Sequence, residues 1–144
     1  MPRRQSIYLT GFAHANPVPV ASRIGPFVHS GVLTGRDPAT GEMPVGLSEQ
    51  CANVFAHIRE LMAAVGGTPD DIAKISCHLV SYRDRAALNF EWEVMFPEPE
   101  NRPARQVMAA TLDGGALIHC DLIAVLGERS PDPSPITAES APPT

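Results

Sequence analysis

The sequence is poor in the features that most readily declare a function. Cysteine is scarce: Cys51, Cys77 and Cys120 are odd in number, and none lies in a paired CxxC spacing. Neither a disulfide framework nor a zinc site is indicated, and reduced thiols in a cytoplasm fit best. Positive charge is thin as well. Lys and Arg number 11 against 16 Asp and Glu, giving a formal charge of −5 and a pI near 5.4. Basic side chains this few and this scattered cannot neutralise a run of phosphates, which argues against nucleic acid as a partner. No apolar block is long enough for a signal peptide or a membrane span, since Arg3 and Arg4 lead only into SIYLTGFAHANPVPV. No internal repeat is visible. The expectation is an unprocessed cytoplasmic protein whose partners are small molecules or proteins, not nucleic acid or membrane.

What is present is enough for a core. At 144 residues and 44% hydrophobic content, the chain fits one domain, expected over residues 1–127. After Gly127 the run ERSPDPSPITAESAPPT has no apolar periodicity, so residues 128–144 are expected to form a disordered Pro/Ser-rich tail. Near the start, Ile7, Tyr8, Leu9 and Phe12 suggest a short strand bounded by Gly11. Pro17 and Pro19 hold Asn16 to Ala21 as a loop or edge strand, because each removes a ladder donor. Phe27-Val28-His29-Ser30 and Val32-Leu33 read as a β-rich run broken by Gly31, and Asp37 to Gly41 is strong turn chemistry.

Ser48 reads as the N-cap of a helix whose Cys51, Val54, Phe55, Ile58, Leu61, Met62 and Val65 fall at three- and four-residue steps, ended by Gly66-Gly67. Ile72 to Ser81 alternates as a half-buried strand, with Ile75, Cys77 and Leu79 inward and Lys74, Ser76 and His78 outward. A second helix is expected from Asp84 to about Met95, with Ala87, Leu88, Trp92 and Met95 on its inner side and Pro97-Glu98-Pro99 stopping it. The stretch from Asn101 to Leu126 then reads as a β-hairpin turning at Asp113-Gly114-Gly115, with Arg102-Pro103-Ala104-Arg105 opening one arm and His119-Cys120-Asp121 on the other. The whole is an α+β sandwich, two helices covering one face of a mixed sheet. Exposing residues such as Val107 and Ile123 in a row is costly, and self-association is the simplest remedy.

Several of these pieces, in this order, resemble the RidA family, also called YjgF, of reactive-intermediate enamine and imine deaminases. They are Ser30-Gly31, the turn DPATGE at Asp37 to Glu42, EQCANVFAHI at Glu49 to Ile58, and Asp70-Asp71-Ile72-Ala73-Lys74. Further on come Asn89 with Met95-Phe96-Pro97, then Arg102-Pro103-Ala104-Arg105, and finally Ile123-Ala124-Val125. The resemblance spans Asn16 to Leu126 and implies a chorismate-mutase-like fold, assembled as a homotrimer around a central barrel with three clefts between subunits. It also implies hydrolysis of small carboxylate-bearing enamines or imines to a keto acid and ammonia, without metal or organic cofactor. On this resemblance Arg105 matches the arginine that holds the substrate carboxylate, Ser30 a cleft serine and Asn89 a cleft asparagine. A family tyrosine falls near Val18. The water-orienting glutamate of the last strand is replaced by His119, with Asp121 two residues on.

Chemistry supports some of these roles. A guanidinium at position 105 offers a planar fork for a carboxylate, or else a rim salt bridge to Glu98 or Glu100. His119 can shuttle a proton near neutrality, or else line a barrel, and Asp121 shares its face and could orient it. Cys120 points the other way and reads as a buried small hydrophobe. His57 and His78 read as solvated, and His14, His29, His57 and His78 show no metal spacing. His14 and Asn16 are candidates for the cleft mouth, and Trp92 for the core. Competing readings are a non-catalytic metabolite-binding or chaperone-like trimer, and a dedicated deaminase of a larger enamine of the aminomuconate type. A ribonuclease fits poorly with an acidic chain lacking interleaved aromatic and basic residues.

Overall fold

The structure is a computed structural model, and it describes residues 2–9 and 17–127. Gly11, Phe12, His14 and Asn16 lie outside the described residues, as does the proposed tail at 128–144. The strands are β1 (Arg4–Ile7), β2 (Ala21–Ile24), β3 (Phe27–Ser30), β4 (Leu33–Thr34), β5 (Ile72–Leu79), β6 (Ala104–Ala109) and β7 (Ile118–Val125). The helices are α1 (Leu47–Ala64) and α2 (Ala86–Met95).

The apolar steps read in the sequence bury one face of α1: Cys51, Val54, Phe55, Ile58, Leu61 and Met62 are all inaccessible. The helix starts earlier than its serine suggested. Gly46 is the N-cap, without a side-chain cap, because Gln50 N already bonds to Gly46 O and closes the first turn there. At the other end Gly66 takes φ +77°, Gly66 N bonds to Ala63 O and Gly67 N to Met62 O. That pair of bonds is a Schellman stop, which favours glycine at the left-handed position. Thr68 and Asp71 then form a capping box around the single 3₁₀ turn Pro69–Asp71 that delivers the chain to β5. The second helix begins at Ala86, two residues beyond Asp84, whose amide is engaged in a turn with Ser81 O.

A polar stripe on α1, which no local pattern singles out, fastens the loops. Gln50 is fully buried; its Nε2 donates to Pro44 O (2.7 Å) and Gly115 O (3.0 Å), and its Oε1 accepts from Leu117 N (2.8 Å). Asn53 Nδ2 donates to Gly35 O (3.0 Å). His57, expected at the surface, is fully buried with Nε2 bonded to Arg36 O at 2.8 Å. The turn at Asp37–Gly41 forms as read, with Asp37 Oδ1 accepting from Ala39 N and Thr40 N.

The sheet runs β1-β2-β3-β7-β5-β6, with β4 also pairing β7. All pairings are antiparallel except β5 with β6, which is parallel. The expected hairpin between Asn101 and Leu126 is therefore absent: β5 lies between its two arms. Gly114 and Gly115 do adopt positive φ, but the turn carries the chain across the end of β5, where Val80 N bonds to Leu117 O and Ala110 N to Leu79 O. Helix α2 makes the crossover that a parallel pair requires. Sheet residues Val28, Leu33, Ile75, Cys77, Leu79, Ile118, Cys120, Leu122 and Ala124 meet the helices in one core. Among the described residues the opposite face carries no helix. There Phe27 is 53% and Val125 41% exposed, side by side in register.

Candidate functional site at the sheet edge

β6 ends the sheet path, and its alternation decides where Arg105 points. Arg105 is in register with Ile75 and Val107 with Cys77, and Ile75 and Cys77 are buried toward the helices. Arg105 therefore lies on the helix-covered face at the sheet's edge. Its guanidinium carbon sits 4.9 Å from the centre of the Trp92 ring on α2. That ring packs in turn on Phe96, with centres 4.8 Å apart. Arg105 Nη1 is buried and has no hydrogen-bond partner among the described residues, so it pairs with neither Glu98 nor Glu100. Desolvating a guanidinium nitrogen without pairing it is costly, and an incoming carboxylate is the group that matches its geometry. Arg102, three residues earlier, is structural, its Nε donating to Phe96 O at 2.8 Å.

Trp92, expected in the core in preference to a stacking platform, is buried at 8% exposure and is a platform as well, under Arg105. The signal was available in the strand–helix–strand order of β5, α2 and β6, which places a helix over the strand that follows it. Asn89 is exposed one turn before Trp92 on the same helix, a spacing that makes the two neighbours on its surface. Ser30 is not brought to Arg105. Arg105, Ile75, Leu122 and Ser30 lie along one row of the sheet, so three strand spacings, roughly 14 Å, separate Ser30 from the arginine. Its hydroxyl donates to Gly31 O and accepts from Leu122 N, both at 2.8 Å, closing the ladder where β3 gives way to β4. Val18 is 45% exposed in the segment before β2.

His119 and Asp121 are on the other face. His119 pairs with His78 and Asp121 with Ser76, the outward positions of β5, so within one chain the sheet separates them from Arg105. The expected hairpin would have set the arm that opens with Arg105 beside the arm that carries His119 and Asp121; with β5 between the two arms, one chain does not bring these residues together. The His78 and His119 rings meet edge to face with centres 4.9 Å apart, and His78 is half-buried, not solvated. Burial, and then the neighbouring His78, lower the pKa of His119 from its ordinary value, against the opposing pull of Asp121.

The thiols are placed as the alternation foresaw. Cys120 faces the helices opposite Cys77. Its hydrogen bond with Cys77, and then burial, push its pKa well above the ordinary range. Burial first, then Glu91, pushes Cys51 up to about 12. Neither of these two is a ready thiolate at neutral pH.

A mixed sheet with two helices on one face and an arginine held at its edge defines a small α+β protein of the YjgF type. The chain belongs to the family described as Endoribonuclease L-PSP, the YjgF/RidA family, whose model matches residues 13–126. It is 32% identical over 129 residues to a RutC family protein of Haemophilus influenzae, covering 81% of this chain and 98% of that one. Among solved structures it resembles RidA from the Antarctic bacterium Psychrobacter, with 27% identity, a TM-score of 0.78 and coverage of 85% and 99% of the two chains. The YjgF gene product of E. coli matches at 23% identity with a TM-score of 0.76, covering 84% and 98%, a likeness of fold. Among the described residues no helix is long and apolar enough to cross a membrane.

Proposed function

We propose that this protein is a hydrolytic deaminase of small carboxylate-bearing enamines or imines, releasing ammonia and a keto acid. The observation that carries the reading is Arg105: a guanidinium fixed over an indole, with a buried Nη1 that nothing among the described residues satisfies. A substrate carboxylate would pair with that fork and be held in one orientation, leaving the nitrogen-bearing carbon open to water. An imine carbon is electrophilic once protonated, so orientation and a proton shuttle suffice. Asn89, one turn from Trp92, is the nearest candidate to bond the substrate's nitrogen end.

The shuttle cannot be His119 of the same chain. In a homotrimer with clefts between subunits, the edge strand β6 would meet the uncovered face of a second copy, and His119 or Asp121 of that copy would supply the proton transfer. The exposed pair Phe27 and Val125 supports such an assembly, because an apolar patch on that face calls for cover. Ser30, with its hydroxyl already engaged in the backbone, would act by shaping the cleft wall, and Val18 would border it. No cofactor is invoked.

The test is Arg105→Ala assayed for ammonia release on 2-iminopropanoate generated in situ. Two charge-assisted bonds of about 1.5–3 kcal/mol each predict a loss of roughly a hundredfold or more in kcat/KM. Retained activity would sink the clamp. A non-catalytic binder is the alternative, favoured by the separation of Arg105 from every titratable outward group of its own chain; it predicts saturable carboxylate binding in the wild type without ammonia.

A further inference from the structure

On the face of the sheet turned away from the helices, β5 and β7 set two histidines side by side. His78 and His119 are register partners, and their ring planes meet at 73° with centres 4.9 Å apart. His78 Nδ1 is buried and has no hydrogen-bond partner among the described residues. A buried imidazole nitrogen ordinarily finds a hydrogen bond, so an unpaired one asks for another kind of ligand. We propose that His78 and His119 form a chelating site for a divalent transition-metal ion of the zinc, nickel or copper type.

The spacing suits it. Two imidazoles sharing an ion at metal–nitrogen distances of about 2.0–2.1 Å have their ring centres roughly 5 Å apart. The pair already stands at that separation, on two hydrogen-bonded strands that hold the ligands rigidly. Ligation requires neutral imidazole, and burial together with His78 disfavours the charged form of His119. Imidazole nitrogen selects zinc, copper and nickel over the harder magnesium and calcium. Among the described residues no three His, Cys, Asp or Glu side chains converge as a metal site. One chain therefore offers two ligands, and the remaining positions fall to water or to the same pair on a second copy. Asp121 shares this face, two residues beyond His119 on β7. The site lies across the sheet from Arg105 within one chain; it competes with the shuttle role proposed for His119, because an imidazole nitrogen that holds an ion cannot also carry the proton, and metal binding tests it without recourse to ammonia release.

Metal-stripped protein titrated calorimetrically with zinc and nickel chloride provides the test, using the wild type, His78→Gln, His119→Gln and His29→Gln. His29 is exposed on the same face, opposite Ile123, and serves as the control. Saturable binding is expected in the wild type and the His29 variant, weakened about tenfold or more in each of the other two. No saturation in the wild type, or equal binding in all four proteins, overturns the site. If circular dichroism shows a variant unfolded, imidazole NMR of the wild type decides instead. His78 and His119 resonances shifting together with zinc support the chelate; shifts confined to other histidines, or none, refute it.

Discussion

A single residue can report the electrostatics of the uncovered face. His119 has a folded-state pKa below its ordinary 6.5, from burial first and His78 second. As the pH falls, the unfolded chain takes up its proton before the folded one does. The stability that His119 contributes is therefore complete above about pH 6.5 and is lost as the pH drops through the folded value. Urea unfolding of metal-free protein between pH 7.5 and pH 5 should show the wild type losing stability more steeply than His119→Gln; parallel curves would refute this. At this scale the sequence was half legible. Arg105 could be singled out because the family resemblance matches it to the carboxylate-holding arginine; its chemistry alone left a rim salt bridge to Glu98 or Glu100 equally open. Trp92 beneath it, and the inward turn of His57 onto Arg36 O, depend on tertiary partners that no local pattern encodes.

Elements divide by the range of the forces that make them. The apolar stripe of α1 was readable because helical spacing is local, and so was its Gly66-Gly67 stop. Gly66→Ala tests that stop cleanly: a Cβ there would meet nothing within 4 Å, so only the left-handed backbone is penalised. About 1–2 kcal/mol of destabilisation is expected from equilibrium unfolding, and an unchanged midpoint would mean that the helix ends some other way. Strand pairing was not readable in the same manner. Asp113-Gly114-Gly115 supplies hairpin residues, yet two strands joined by a turn need not be neighbours when a third fits between them. Interposing β5 turned Arg105 to the opposite face from His119, so one misplaced strand altered the whole site.

For the whole molecule the decisive feature is a sheet clothed on one side. The proposed trimer would bury Phe27 and Val125, and the double variant Phe27→Glu, Val125→Glu should then run as a smaller species in light scattering while keeping its helical circular dichroism. An unchanged mass would place the subunit contact elsewhere. The order of elements foresaw an uncovered face and named Val107 and Ile123 for it; register leaves Ile123 there, opposite His29, but turns Val107 to the helix side beside Cys77, where it packs on the core. Strand β7 has a consequence of another kind. It is the last strand of the described chain, yet it sits in the middle of the sheet, between β3 and β5. On a ribosome, β1 to β3 and β5 with β6 emerge as two half-sheets that have no ladder between them until residues 118–125 arrive. The sheet is thus completed from its centre, and late, which makes this segment the one whose loss or delay would leave two exposed edges open to association with the wrong chain.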